Sequence, residues 1–409
     1  MRQTQKTRQS RRRKGRADPV KYLLQRLFLL CVLLAVAGCG STSWFSDDDD
    51  DPTAPVELPD IEESVKIRRA WSVGIGDGQG DGLHKIQPVV LGDAIYVASA
   101  DGLVRALERK KGKTLWKEDL DLNLSGGVGA TDGALFVGSS EGEVLRLDAG
   151  SGEVLWSTRL RGEILAAPQS DGRVVVAQTY DGKLQGLDFA SGELLWTYDS
   201  NVPVLTLRGT STPIIDSGIV YAGFANGRVL AFESQTGDIV WEVRVAISQG
   251  RSEIERIVDV DGSMLLAGSE LYAASYQGRI VGVEVSSGRK FWQEDISSVS
   301  GVGLGFGNIY VADDSGSVFA FHRNGQGTRW TQDALGYRQL SRPTPVSSWV
   351  AVVDFEGYLH LMSQLDGGFV GRVKVDGDGA RADMISEGNR LYVYGNSGKL
   401  VAYDIAAND

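Results

Sequence analysis

Apolar and polar positions alternate with period two along most of the chain. The runs are short, and many end at a polar residue followed by glycine. Ala94-Ile95-Tyr96-Val97-Ala98 and Gly218-Ile219-Val220-Tyr221-Ala222 stand before such a step. Val104-Arg105-Ala106-Leu107 and Val144-Leu145-Arg146-Leu147 stand after it. Period two predicts strands. The polar–glycine step predicts hairpin turns, because glycine and asparagine tolerate the positive φ that such turns need. The step recurs at Asp101-Gly102, Glu141-Gly142, Asp181-Gly182, Asn226-Gly227, Gln277-Gly278, Ser315-Gly316, Glu356-Gly357 and Ser397-Gly398. Successive glycines are 40, 40, 45, 51, 38, 41 and 41 residues apart.

About ten residues after each of the early turns comes a second glycine, followed by a tryptophan. The pairs are Gly112 and Trp116, Gly152 and Trp156, Gly192 and Trp196, Gly237 and Trp241, and Gly288 and Trp292. Trp330 continues the series behind Gly325 and Gly327, and the seventh unit carries Gly371 where the indole would fall. Four strands in roughly 42 residues is the period of a β-propeller blade. The sequence therefore predicts an all-β, eight-bladed β-propeller of four-stranded antiparallel blades. Indoles at one repeat position read as packing between neighbouring blades. The eighth unit stops after Val401-Ala402-Tyr403-Asp404 without its last strand. Ile67–Val73, at the other end of the repeats, supplies that strand and closes the ring, which removes an open sheet edge.

Composition fits this reading. The 409 residues include 52 glycines and only 10 prolines, which suits many turns and few helices. The net charge of −11 conceals a split. Residues 1–38 hold ten Lys or Arg against Asp18 alone, a balance of +9, which leaves −20 on the remainder. The basic block precedes the apolar run Leu27–Ala37. That run is too short for a stable bilayer span, so it reads as a secretory signal. The cluster Arg8–Lys14 belongs to this segment, and no nucleic acid partner is expected. The run ends in Val36-Ala37-Gly38-Cys39, which resembles the bacterial lipobox. That resemblance implies cleavage before Cys39 and a diacylglycerol on its thiol, giving membrane attachment through an N-terminal lipid. Gly40, in place of an aspartate, favours the outer membrane on its periplasmic side. Residues 41–60 combine Asp47–Asp51 with Pro52, Pro55 and Pro59, a composition that stays extended and solvated. The expected organisation is a signal peptide over 1–38, a lipidated cysteine and flexible tether over 39–64, and the propeller over 65–409.

Little in the chain suggests catalysis. The three histidines, His84, His322 and His360, share no spacing and read as structural. No nucleophile elbow, P-loop or zinc-protease motif occurs. The glycine runs Gly74–Gly82 and Gly301–Gly307 open no helix, so neither offers a phosphate cradle, and Asp77 and Asp81 read as loop residues. No catalytic residue, metal or cofactor is expected. The spacing Asp-x-x-x-Gly-x-x-x-Trp, at Asp148–Trp156 and Asp188–Trp196, resembles the repeats of pyrroloquinoline-quinone dehydrogenases. That is the enzymatic alternative. Many members of that family use a vicinal disulfide and calcium ligands, and this chain has no adjacent cysteines. A polysaccharide-binding propeller is a third reading, without an aromatic cluster outside the repeat positions to support it.

The irregular spacings carry the remaining information. The steps of 45 and 51 place extra residues at 201–209 and 247–261. The first stretch holds Val204-Leu205-Thr206-Leu207-Arg208-Gly209, and the second holds Glu253-Ile254-Glu255-Arg256-Ile257-Val258-Asp259-Val260-Asp261. Long loops on a rigid scaffold often bind partners, whereas a plain crossover would simply bury its leucines. Lipobox, tether, tryptophan-docked blades and these two loops together resemble the BamB family, lipoproteins of the outer-membrane β-barrel assembly machinery. The resemblance implies a non-enzymatic scaffold that assists insertion and folding of outer-membrane proteins. It implies contact with the periplasmic polypeptide-transport-associated (POTRA) domains of BamA. Leu205, Leu207 and Arg208 would pack and pair there, with Asp259 and Asp261 supporting the same face. Direct binding of unfolded outer-membrane proteins at exposed blade edges is a further expectation.

Overall fold

A computed structural model describes residues 51–82 and 85–408. From Pro55 onward the chain is one compact unit. Its strands form eight four-stranded antiparallel sheets, as the repeats predict. Blades one to seven each take four consecutive strands. The first is Val89–Leu91, Ala94–Ala98, Leu103–Glu108 and Thr114–Asp119, running from the axis outward. The eighth is made from both ends of the repeat region. Ile385–Glu387, Arg390–Tyr394 and Lys399–Ala407 are completed by Val65–Gly74. Val65 stands opposite Ala407 and Gly74 opposite Lys399, so the closing strand pairs from end to end, with a bulge between Arg69 and Trp71. The second strands bury both faces between neighbouring blades. They therefore read as near-continuous apolar runs.

The indoles lock each blade to the next. A Cβ at Gly112 would lie 2.6 Å from Cδ2 of Trp71, and the same close approach recurs at Gly152 with Trp116 and at Gly237 with Trp196. These glycines have positive φ, at 68°, 84° and 74°, so they serve both the turn and the ring above it. All the docked indoles but Trp292 donate their Nε1 proton to a carbonyl of the same neighbouring turn. Trp71 reaches Arg109 at 3.1 Å, Trp116 reaches Ala149 at 2.9 Å and Trp196 reaches Ser234 at 2.8 Å. The buried Trp292 Nε1 finds no such partner.

Gly371 now has a physical explanation. It pairs with Leu361 as Trp116 pairs with Ala106, so it occupies the indole position of blade seven. An indole there would dock on the turn between the third and fourth strands of blade eight. That turn does not exist, because those two strands come from opposite ends of the repeats. The space beside Gly371 is taken by the closing strand, with Ile67 Cδ1 3.3 Å from a Cβ built there.

The tether differs from expectation at its C-terminal end. Residues 56–64 lie along the outer edge of blade seven instead of hanging free. Val56 N donates to Gly336 O at 3.1 Å, and Ser64 N donates to Val370 O at 2.9 Å. Leu58 packs into the apolar cluster of Trp330, Leu335 and Leu340. The signal segment, Cys39 and His84 lie outside the described residues.

Candidate functional site

In a four-stranded antiparallel blade, the crossover to the next blade and the turn between the second and third strands emerge on one face. Both long loops are such crossovers. Residues 200–213 join the blade-three strand Leu194–Asp199 to the blade-four strand Ile214–Asp216. Residues 245–264 join the blade-four strand Ile239–Arg244 to the blade-five strand Leu265–Ala267. The two irregularities in the repeat are thus neighbours on one face of the ring.

The loops are fastened to each other. The carboxylate of Asp259 accepts a hydrogen bond from the backbone N–H of Leu207. Asp259 is only 1% exposed, and its other oxygen has no partner. Burial pushes its carboxyl up to about 7, with the Leu207 N–H pulling the other way. Asp261 sits half-buried two residues on. Burial and then the charge of Asp259 push it up to about 8, opposed by Lys85. Gly209 packs against this side chain, and a Cβ there would lie 2.9 Å from Asp261 Oδ2. The pinned loop then presents its remaining residues outward. Val204 is 94% exposed and Leu205 is 40% exposed. Arg208 forms an ion pair with Glu163 of the blade two-to-three crossover, Nη2 to Oε2 at 3.0 Å. Its guanidinium also stands 5.9 Å from the ring centroid of Tyr180, whose hydroxyl is 3.3 Å from Thr206 Oγ1.

The second loop forms a short 3-10 turn at Ile254–Arg256. Ile247 and Ile254 are exposed beside it. Glu253 pairs with Arg256 at 3.2 Å, and Glu255 accepts from the backbone N–H of Arg251 at 2.6 Å. Between these loops and the axis opens a cavity of about 480 Å³ at the mouth of the ring, with Lys85, Leu165, Leu207, Arg208, Asp261 and Val299 in its wall. Lys85, in the crossover from blade eight to blade one, reaches to the carbonyl of Val299, in the blade five-to-six crossover, at 3.5 Å.

The five residues singled out in the sequence therefore sit together, in different positions. Leu205 and Arg208 are at the surface. Leu207 and Asp261 line the cavity mouth. Asp259 lies beneath them, where it holds the loop and touches no surface. Glu163, Tyr180 and Ile254 belong to the same face; Ile254 falls in the long stretch that the spacing marks, whereas nothing in the spacing singles out Glu163 or Tyr180. The donor set does not suit a quinone–calcium centre. Among the described residues no three His, Cys, Asp or Glu side chains gather as a metal ion would need, and the chain has no adjacent cysteines.

Comparison with known proteins adds to this geometry. Residues 70–332 match the family model described as outer membrane protein assembly factor BamB. The chain is 57% identical over 377 residues to a Pseudomonas aeruginosa protein of that name, covering 92% of this chain and 98% of the relative. Its fold is similar to the crystal structure of BamB from Moraxella catarrhalis, with a TM-score of 0.76 and 28% identity, covering 83% of this chain and all of that one. A quinohemoprotein alcohol dehydrogenase from Comamonas testosteroni gives a TM-score of 0.65 at 14% identity, covering 82% of this chain and 76% of that one. That second likeness is one of fold.

Proposed function

This chain belongs to the BamB family of outer membrane protein assembly factors, and from that premise we propose that it acts as a non-enzymatic, lipid-anchored scaffold. It works at the outer membrane within the assembly complex. The finer reading is that it faces the periplasm, is held there through Cys39, and docks on the POTRA domains of BamA with the face that carries its two long loops.

One observation supports this face above the others. The Asp259 carboxylate fastens the 201–209 loop from the neighbouring crossover, so Leu205 and Arg208 are presented by a loop already ordered. Pre-ordering removes part of the conformational cost of association. Exposed apolar side chains beside an arginine are the composition of an interface centre. The Arg208–Glu163 pair adds a consequence. A partner carboxylate would share or displace Glu163, so the arginine stays neutralised while the face is empty.

The test is a pull-down of the full chain with the periplasmic domains of BamA. Arg208→Ala and Leu205→Ala should each weaken binding by about tenfold or more, as interface anchors do. Undiminished binding by both variants would remove the face from the interface.

A further inference from the structure

Residues 56–64 run along the outer strand Phe369–Lys374 of blade seven, beginning at the loop-bearing face. Their fastening is unusual in kind. Two arginines reach their backbone carbonyls. Arg338 Nη1 donates to Val56 O at 2.9 Å, and Arg372 Nη1 donates to Pro59 O at 2.9 Å.

Both arginines are themselves held by a buried network. Arg338 Nε donates to Asp354 Oδ2 at 2.8 Å, and its Nη2 pairs with Glu356. Asp354 and His360 are fully buried. His360 Nε2 lies 3.0 Å from the same Asp354 oxygen, and Arg372 Nε donates to His360 Nδ1 at 3.1 Å. Since Nδ1 accepts, the imidazole is neutral and its proton is on Nε2, aimed at Asp354. The chain of contacts is therefore Val56, Arg338, Asp354, His360, Arg372, Pro59. It begins and ends on the strap.

We propose that Arg338 and Arg372, coupled through Asp354 and His360, form a clamp that makes Val56–Ser64 a fixed part of the ring. The clamp sets where the tether departs: beside the blade six-to-seven crossover, on the face that carries the two long loops. It also covers the outer edge of blade seven, which is then closed to strand addition. Arg338 and Arg372 are positioning residues. They grip backbone oxygens, so the identity of the strap side chains matters less than its path. Neither the partner reading nor lipidation is needed for this inference.

Hydrogen exchange of the full chain, resolved to peptides, tests it. In the wild type the amides of Val56 and Ser64 should be protected. In the Arg338→Ala/Arg372→Ala double variant they should exchange at least tenfold faster, while blade-four peptides keep their wild-type rates. A merely structural role would speed exchange throughout the ring. Removing Arg338 strands Asp354 in the interior, so Arg372→Ala alone is the second variant, and Arg372→Lys should recover part of the protection. Free-chain exchange over 56–64 in the wild type would overturn the clamp. So would undiminished protection in the folded variants, or loss of protection that spreads equally to blade four.

Discussion

Trp71→Ala should weaken the closure of the ring far more than its place on an outermost strand suggests. Trp71 belongs to the closing strand and is 9% exposed. Its indole lies against the turn at Gly112, donates to Arg109 O at 3.1 Å and has the Tyr392 ring 5.9 Å away. Removing a buried tryptophan costs about 3–5 kcal/mol, because the lost apolar contact is joined by the cavity left behind. Against a usual total of about 5–15 kcal/mol, that is a large share. Gly112→Ala attacks the same contact from the other side. Its φ of 68° disfavours a side chain, and the added methyl would lie 2.6 Å from the indole. Because both changes break one contact, their costs should not add. The double variant should fall at least 1 kcal/mol short of the sum, as coupled neighbours do. Urea unfolding of the wild type, both single variants and the double variant measures this directly. A loss under about 1 kcal/mol for Trp71→Ala, or strict additivity, would refute the view that each indole is a lock between blades.

Deleting residues up to 73 should abolish cooperative folding, since the eighth blade loses its outer strand; a truncated chain that melts at the wild-type temperature would contradict this. Gly371→Trp should destabilise by about 1–3 kcal/mol, although it restores the repeat, because no turn exists for the indole and Ile67 occupies the space; thermal melts check it. The acid pair predicts a pH dependence. Asp259 and Asp261 are raised to about 7 and about 8, so the folded state holds more protons than the unfolded state above the ordinary carboxylate range. Their contribution is therefore complete at low pH and is lost as pH rises through about 4 to 8. Asp261→Asn should flatten that decline, by a few kcal/mol at most, in melts taken from about pH 5 to about pH 9. A wild type whose stability rises across that interval would contradict the sign.

What the sequence made legible depended on repetition. Eight polar–glycine turns and six spaced indoles state a periodic structure openly, because each blade solves the same packing problem. The closing strand was legible as the fourth strand missing from the last unit. The absence of an indole at Gly371 was visible but unexplained until the topology showed that its docking turn is split between the chain ends. The two long crossovers stood out only as breaks in the spacing. Their mutual fastening through Asp259, 52 residues from Leu207, leaves no local trace. The Arg208–Glu163 pair is similar, since it joins two crossovers with no shared period. The strap misled for a different reason. Proline and acids over 52–63 are the composition of a solvated linker, yet the attachment uses backbone carbonyls and arginines 282 and 313 residues away. Composition reports side chains, and here the backbone supplies the contacts.

The central claim is that the partner meets the face bearing the two long loops. A photocrosslinking side chain placed at Leu205 and, separately, at Leu194 on the outer edge of blade three separates this face from the blade edges. Both positions are exposed, so neither is disadvantaged by access. In the assembled complex, Leu205 should crosslink to BamA and Leu194 should not. Crosslinks to BamA from Leu194, with none from Leu205, would place the interface on the blade edges and contradict the account.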